Sequence, residues 1–308
     1  MRPFYLAAAL LLFVSVASAN AADMPKPASV FAVGATHVNK YVPQSNNGNP
    51  ALILIPGLTD NASVWDGTVA QFAGTHTIYV LTLAGFGGFP AVTGQLIDTA
   101  VANVNALIAQ EHLDKPVVIG HSLGGFITIR VAETNSSALR GIVAVDGLPV
   151  FPGADTLTSA QRTALATQMS APMANLTPAG LIAAEKKYSL PYMTQEKNID
   201  TVAAFSEGAN PAATTTYMQE MASADIRPEL GKISVPFLEL GPFDPTLDPF
   251  NPQSPMKTLA AKQAYYQKLI SGAPKGTVRI VDNSRHFIMI DQPQAFYAQI
   301  AAFLTSLP

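Results

Sequence analysis

Short apolar runs, each ending near turn residues, are the feature that most constrains the fold of this chain. The run Ala51–Ile55 contains no polar residue and stops at Pro56-Gly57. Strands that are apolar on both faces are typical of a parallel sheet with helices on both sides. Strand-like runs recur at Thr77–Leu83, Pro116–Gly120, Gly141–Val145, Pro236–Leu240 and Thr277–Val281.

Helical patterns alternate with these runs, at Ser63–Phe72, Gly94–His112 and Leu123–Glu133. Alternating buried strands and helices predict an α/β fold with a mostly parallel sheet flanked by helices. Two further strands are predicted ahead of the series, at Ser29–Val33 and Thr36–Val42.

One long interval, at about 151–227, contains no strong strand pattern. It has helical patterns at Ser159–Ser170, Pro178–Tyr188 and Ala212–Ala224. An ordinary crossover between parallel strands needs far fewer residues. We therefore predict a single domain over residues 23–308, with a helical cap insertion at about 151–227.

The first 22 residues have the composition of a secretory signal peptide. Arg2 is their only charged residue, an apolar run extends from Phe4 to Val16, and small residues follow at 17–21. That run is too short to span a bilayer. We predict cleavage of residues 1–22 and a periplasmic or extracellular mature protein with no stable membrane insertion.

Charge and cysteine content limit the partners that the chain can have. Charged residues make up 13% of the chain, the formal net charge is −3, and there is no basic cluster. Nucleic-acid binding needs concentrated Lys and Arg, so no nucleic-acid partner is expected. The absence of cysteine excludes disulfides, thiolate metal ligands and a lipid-modified N-terminal cysteine. No cofactor and no metal are expected.

Residues 120–124 carry the pattern G-x-S-x-G, with a strand pattern before them and a helical pattern after them. In that context the turn exposes the serine hydroxyl at a helix N-terminus, where the helix dipole favours developing negative charge. Ser122 is therefore predicted to be a nucleophile. Its tetrahedral intermediate needs two N–H donors, which we expect from the amides of Leu123 and Leu58.

A serine nucleophile also needs a base and an acid. Of the five histidines, His286 follows the last strand pattern, where a loop can reach across the carboxyl edge of the sheet. We predict that it is the general base. The acid is expected between Ser122 and His286 in chain order. Asp244, which also follows a strand pattern, is the predicted acid, and Asp146 and Asp248 are the alternatives.

Four blocks of sequence together resemble the α/β-hydrolase superfamily, in its capped branch with a serine nucleophile. They are the turn after Ile55 with Trp65, the Gly-rich turn at 84–87, the elbow at 120–125, and the acid and base loops at 241–244 and 284–287. The likeness covers about residues 30–308. Two features depart from the family pattern: Pro56 replaces a usual His, and the Gly-rich turn lacks its usual Asp.

The resemblance implies a serine hydrolase that cleaves a carboxylic ester, or a related acyl bond, through an acyl-enzyme on Ser122, and the predicted signal peptide implies that it is secreted. The expected partner is a small, largely apolar acyl substrate. Branches that resemble haloalkane dehalogenases and epoxide hydrolases carry Asp at the elbow, so Ser122 argues against them. The alternatives are aminopeptidase-like or carbon–carbon bond hydrolysis on the same triad, and a non-catalytic binding protein on a hydrolase scaffold.

Methionine and aromatic residues are frequent in the predicted cap. They are Met169, Met173, Tyr188, Tyr192, Met193, Phe205, Tyr217, Met218 and Met221. We interpret them as the core of the cap itself, with an adaptable apolar pocket as the alternative.

Overall fold

The computed structural model describes residues 24–248 and 256–308. The predicted signal peptide, residues 1–22, lies outside the described residues. The strands are β1 (Ser29–Val33), β2 (Thr36–Tyr41), β3 (Leu52–Ile55), β4 (Ile78–Thr82), β5 (Val117–His121), β6 (Gly141–Val145), β7 (Phe237–Phe243) and β8 (Gly276–Asp282).

These strands form one sheet in the order β1-β2-β4-β3-β5-β6-β7-β8. β2 pairs antiparallel with both β1 and β4, and every later neighbouring pair is parallel. The α-helices of the described residues are α1 (Asp66–Phe72), α2 (Leu96–Gln110), α3 (Leu123–Asn135), α4 (Ser159–Ser170), α5 (Pro178–Ala184), α6 (Leu190–Met193), α7 (Ile199–Phe205), α8 (Pro211–Ser223), α9 (Leu259–Leu269), α10 (Ile288–Asp291) and α11 (Pro293–Ser306). The predicted fold class, a mostly parallel sheet flanked by helices, is confirmed.

Both faces of the central strands are covered, which explains why their sequences are apolar throughout. In β3, Ile53 and Ile55 join one apolar cluster, and Leu52 and Leu54 join another. Side chains alternate between the two faces of a strand, so the two clusters lie on opposite sides of the sheet. Helices α2 and α3 contribute to the first cluster, and α1 and α11 contribute to the second.

Helices α4 to α8 lie between β6 and β7, in the interval where the cap insertion is predicted. We call residues 151–227 the insertion. It is tied to the rest of the chain at the start of α2, where the carboxylate of Glu220 accepts from the amides of Leu96 and Ile97, both at 2.8 Å. A carboxylate at a helix N-terminus satisfies free amides and complements the helix dipole. Within the described residues, no helix combines the length and apolar character that a membrane crossing requires.

The parallel strands place several loops at one edge of the sheet. β3, β5, β6, β7 and β8 are mutually parallel through their neighbours, so their carboxyl ends share that edge. Ligand sites of open α/β sheets lie outside this edge.

Candidate active site

Ser122 lies in a sharp turn between β5 and α3. Its backbone angles are φ 53° and ψ −116°, a conformation that side-chain-bearing residues rarely adopt. A Cβ atom at Gly120 would overlap the backbone of Gly124, and one at Gly124 would overlap the carbonyl of Ile55. The two glycines therefore let the turn close tightly and let the end of β3 lie directly against it.

His286 lies in the loop after β8 and is bound to Asp146. The Nδ1 atom of His286 is 2.5 Å from Oδ2 of Asp146. Asp146 follows β6 directly, has a φ of 50°, and donates its amide to the carbonyl of Leu240 at 2.8 Å. Burial opposes its charge, but the positive charge and hydrogen bond of His286, with help from Lys262, outweigh burial and hold the pKa of Asp146 below its usual value.

Asp244, the predicted acid, is directed to a different partner. Its Oδ2 accepts from Nε of Arg285 at 2.6 Å, and its Oδ1 accepts from the amide and hydroxyl of Thr246 at 2.7 and 2.6 Å. The structure therefore corrects the expected contact between Asp244 and His286, because Asp146 makes that contact. Arg285 and Thr246 together engage both oxygens of the Asp244 carboxylate.

Asp248, the other alternative, is also occupied elsewhere. Its carboxylate oxygens lie 3.0 and 3.1 Å from Nζ of Lys262, and Oδ2 accepts from the amide of Asp244 at 2.8 Å. Asp248 therefore shapes the turn after β7 and does not contact His286 in the structure.

A cavity of about 510 Å³ is lined by Ser122, His286 and Asp146. The other described lining residues are mostly apolar: Leu58, Phe126, Gly147, Leu148, Val150, Phe151, Pro152, Met169, Met173, Ser189, Met193, Met218, Met221 and Tyr266. None of the described residues that line it is Lys or Arg. The five methionines come from the insertion, which therefore forms one wall of the cavity.

The methionines and the aromatic residues of the insertion give support to both interpretations. The five methionines line the cavity, and Met173, Met193 and Met221 also pack against the apolar clusters in which Phe205 and Tyr217 are buried. Tyr188 and Tyr192 are 65% and 71% exposed and belong to neither group.

The two predicted oxyanion donors lie beside Ser122. Leu123 is the first residue of α3, and Leu58 lines the cavity from the turn after β3. A Cβ atom at Gly57 would lie 2.7 Å from Oδ2 of Asp60, so glycine is required for this turn to adopt its path. The role of both amides stays a prediction.

His121 and Asp60 form a buried polar pair next to the turn that carries Ser122. The ring of His121 is inaccessible to solvent, and its Nε2 lies 3.2 Å from the carbonyl oxygen of His286. Because a carbonyl only accepts, Nε2 carries the proton, and Nδ1 faces Oδ2 of Asp60 at 3.5 Å without one. Burial raises the pKa of Asp60 to about 7, opposed in part by the positive charge of His286. The raised pKa favours a neutral Asp60 carboxyl beside the unprotonated Nδ1, although neither Oδ2 of Asp60 nor Nδ1 of His121 has a hydrogen-bond partner among the residues that the structure describes.

Sequence reasoning missed three residues at this site: Asp60, Tyr266 and Arg285. Tyr266 donates its hydroxyl to Oδ1 of Asp146 at 2.6 Å. Arg285 donates to the carbonyls of Pro191 and Thr194 in the insertion, at 2.7 and 2.8 Å. Arg285 directly precedes the predicted base in the sequence, but its pairing with Asp244 joins residues 41 positions apart and had no local sequence signal. Tyr266 had no such signal either, because its contact joins parts of the chain 120 residues apart.

The model of the alpha/beta hydrolase family matches residues 52–299 of this chain. The chain belongs to the alpha/beta hydrolase family. The superfamily resemblance of the sequence blocks is confirmed, and the chain is a hydrolase by family.

Solved structures of other hydrolases share the fold of this alpha/beta hydrolase. The enol-lactonase from Burkholderia xenovorans is 17% identical, with a TM-score of 0.68 over 90% of this chain and 100% of its own. A thermophilic esterase from Thermogutta terrifontis, solved with malate bound, is 16% identical, with a TM-score of 0.70 over 90% and 98%. An esterase from Exiguobacterium antarcticum is 17% identical, with a TM-score of 0.68 over 92% and 100%.

In the described part of this alpha/beta hydrolase, no group of three or more His, Cys, Asp or Glu side chains is arranged to hold a metal ion.

Proposed function

We propose that this hydrolase cleaves carboxylic esters of neutral, largely apolar acids through an acyl-enzyme on Ser122. One observation carries the proposal. Ser122, on a strained turn, shares an apolar cavity with His286, whose Nδ1 lies 2.5 Å from Asp146. A nucleophile, a base and a group that orients the base are the parts that acyl transfer on serine needs.

The reaction runs in two halves. Oγ of Ser122 attacks the ester carbonyl while Nε2 of His286 takes the hydroxyl proton, and Asp146 stabilises the imidazolium through Nδ1. The amides of Leu123 and Leu58 hold the oxyanion. His286 then returns the proton to the departing alcohol, which leaves the acyl group on Ser122. A water molecule, deprotonated by His286, releases the acid and restores the serine.

The cavity favours an uncharged acyl group. A cavity of about 510 Å³ lies within the range that small-molecule ligands occupy. Its methionine wall is polarizable and adaptable, and its described lining includes no Lys or Arg to balance a substrate carboxylate. We therefore expect medium-length or aromatic neutral acyl groups to be preferred over acyl groups that carry a second carboxylate.

The same lining disfavours an aminopeptidase. A substrate amine needs a carboxylate partner, and Asp146, the one acidic residue among the described lining, is engaged by His286 and Tyr266. Glu220, an acidic residue of the insertion, is engaged by the start of α2.

The test uses the chain from residue 23 and p-nitrophenyl esters of increasing acyl length. We expect turnover, and a fluorophosphonate adduct located at Ser122 by peptide mass spectrometry. Ser122→Ala should lose turnover and labelling while its circular dichroism and melting temperature stay unchanged. Full turnover in Ser122→Ala would refute the nucleophile. Absence of both turnover and adduct in the folded protein would favour a non-catalytic binding protein.

We also propose that residues 1–22 direct export and that the insertion acts as a cap over the cavity. Amino-terminal sequencing of protein recovered from the periplasm or the medium tests the first part. A mature amino terminus near residue 23 is expected, and an intact Met1 would contradict cleavage.

A further inference from the structure

The two carboxylate oxygens of Asp146 have different partners. Oδ2 lies 2.5 Å from Nδ1 of His286, and Oδ1 accepts from the hydroxyl of Tyr266 at 2.6 Å. A carboxylate bound through one oxygen can rotate, whereas one held through both has a defined plane. The Tyr266 hydroxyl therefore sets the direction in which Asp146 presents its second oxygen to the imidazole.

Packing holds Tyr266 in this position. Its side chain is buried, at 3% exposure, and extends from α9 towards the end of β6. A Cβ atom at Gly241 of β7 would lie 2.6 Å from a ring carbon of Tyr266, so the ring lies directly on the glycine backbone. A ring so confined holds its hydroxyl in place at little further entropic cost.

The electrostatics favour the Tyr266 hydroxyl as a hydrogen-bond donor to Asp146. Burial, together with the negative charge of Asp146, raises the pKa of Tyr266 well above its usual value. Burial and the same charge raise the pKa of Glu239, on β7, well above its usual value. Because the pKa of Tyr266 lies above its usual value, its hydroxyl keeps its proton at neutral pH and donates to Asp146, and the pKa of Glu239 is shifted in the direction of the neutral acid. The other titratable or charged groups around the Asp146–His286–Tyr266 cluster are Asp60, His121, Asp248 and Lys262.

We propose that Tyr266 is a positioning residue for the catalytic dyad of Asp146 and His286: its hydroxyl orients the carboxylate and moderates the carboxylate's effect on the imidazole. The inference rests on the proposed serine hydrolase function. Under this proposal α9, which lies outside the predicted motifs, helps to orient the general base through Tyr266.

Tyr266→Phe keeps the ring and removes the hydroxyl, so Oδ1 of Asp146 loses its donor. We expect kcat for a p-nitrophenyl ester to fall about tenfold, the usual scale for a lost hydrogen bond to a charged group, with KM little changed. The carboxylate also loses a donor that spreads its charge, so it stabilises imidazolium more strongly. The acidic limb of kcat/KM, which reports the free enzyme's base, should move to higher pH.

Tyr265 supplies a matched control from the same helix. Its hydroxyl donates to Oδ1 of Asp155 at 2.9 Å and accepts from the amide of Gly153 at 3.0 Å. Tyr265→Phe therefore removes the same kind of bond to a different aspartate. We expect wild-type kcat and an unmoved acidic limb. An equal loss of kcat in both variants, with no change in either pH profile, would reduce Tyr266 to a role in holding α9.

Site-specific replacement of Tyr266 by a fluorotyrosine tests the same idea with the hydroxyl retained. The more acidic phenol donates more strongly, so the acidic limb should move to lower pH, opposite to Tyr266→Phe. This arm serves if Tyr266→Phe does not fold. Limbs unmoved in the folded variants would overturn the proposal. Failure of the proposed function is separate, since it removes turnover and the Ser122 adduct from the wild-type protein itself.

Discussion

Asp146 and Asp244 follow neighbouring parallel strands, but their carboxylates have different partners. Asp146 contacts His286, while Asp244 forms an ion pair with Arg285 at 2.6 Å. Burial opposes the charge of Asp244, but Thr246 and Arg285 outweigh it and hold its pKa below the usual value. At the residue scale, the partner of each carboxylate decides its role.

The two aspartates are therefore expected to differ when each is changed to Asn. Asp146→Asn should lower kcat by about 10⁴-fold, because an amide can favour the wrong imidazole tautomer and cannot stabilise imidazolium. Asp244→Asn removes one charge of an ion pair and should mainly lower the melting temperature. The two variants are compared by ester kinetics and thermal denaturation. A larger loss of kcat in Asp244→Asn than in Asp146→Asn would show that Asp244 is the acid that acts with His286.

A second residue-scale prediction concerns Glu239. Burial and the negative charge of Asp146 raise the pKa of Glu239, which favours the neutral acid that Gln resembles in shape and charge. Glu239→Gln should therefore leave kcat and the acidic limb of kcat/KM within about twofold of wild type. A shift of that limb comparable to the one expected for Tyr266→Phe would mean that Glu239 is charged and acts on Asp146.

At the scale of elements, the base loop and the insertion are joined by several hydrogen bonds. Besides Arg285, the amide of Phe287 donates to the carbonyl of Met193 at 3.1 Å. The buried carboxylate of Asp291 accepts from Thr194, Gln195 and Asn198 of the insertion and from the amide of Arg285. The segment around α6, which includes Met193 of the methionine wall, is thus hydrogen-bonded to the chain beside His286.

Helix α8 provides a test of that wall. Met221 lines the cavity, whereas Gln219 on the same helix is exposed. Met221→Trp should reduce the space for the acyl group and lower kcat/KM for a hexanoate ester about tenfold, with little change for acetate. Gln219→Trp should leave both esters unaffected. An unchanged ratio of hexanoate to acetate in Met221→Trp would place the acyl group elsewhere.

The elements differ in how well the sequence predicted them. The buried strands were readable because an apolar run bounded by turn residues has few other structures open to it. α9 was not predicted, because its Lys and Gln residues obscure the apolar periodicity of a helix. Its buried residues are Lys262, Tyr266 and Leu269. α11 was not predicted either, although Phe296, Ile300 and Phe303 lie at helical spacing on its buried face.

At the scale of the whole molecule, buried carboxyl groups tie stability to pH. The pKa of Asp60 is raised to about 7 by burial, so between about pH 4 and 7 the folded chain holds a proton that the unfolded chain has lost. The contribution of Asp60 to stability therefore falls as pH rises through this window. One such proton contributes a slope of at most about 1.4 kcal/mol per pH unit. Glu133, whose pKa burial also raises to about 7, acts in the same direction.

Asp60→Asn should remove the Asp60 part of this dependence. The variant should therefore be more stable relative to wild type at pH 8 than at pH 5. The measurement is the difference in free energy of unfolding between the two proteins, from urea denaturation at both pH values. Glu133 is unchanged in this variant, so the slope should be reduced without vanishing. Parallel stability curves for the two proteins would show that Asp60 is ionised throughout.

The sequence by itself determined the sheet, the elbow at Ser122 and the place of His286, because each depends on a contiguous pattern: apolar runs, a glycine-bounded turn, a loop after the last strand. Only the tertiary structure decided the partner of His286 and the wall of the cavity. Asp146, Asp244 and Asp248 all lie at one sheet edge, and chain order cannot separate them. Contacts across long stretches of chain, from Arg285 and Tyr266, determine which carboxylate faces the imidazole.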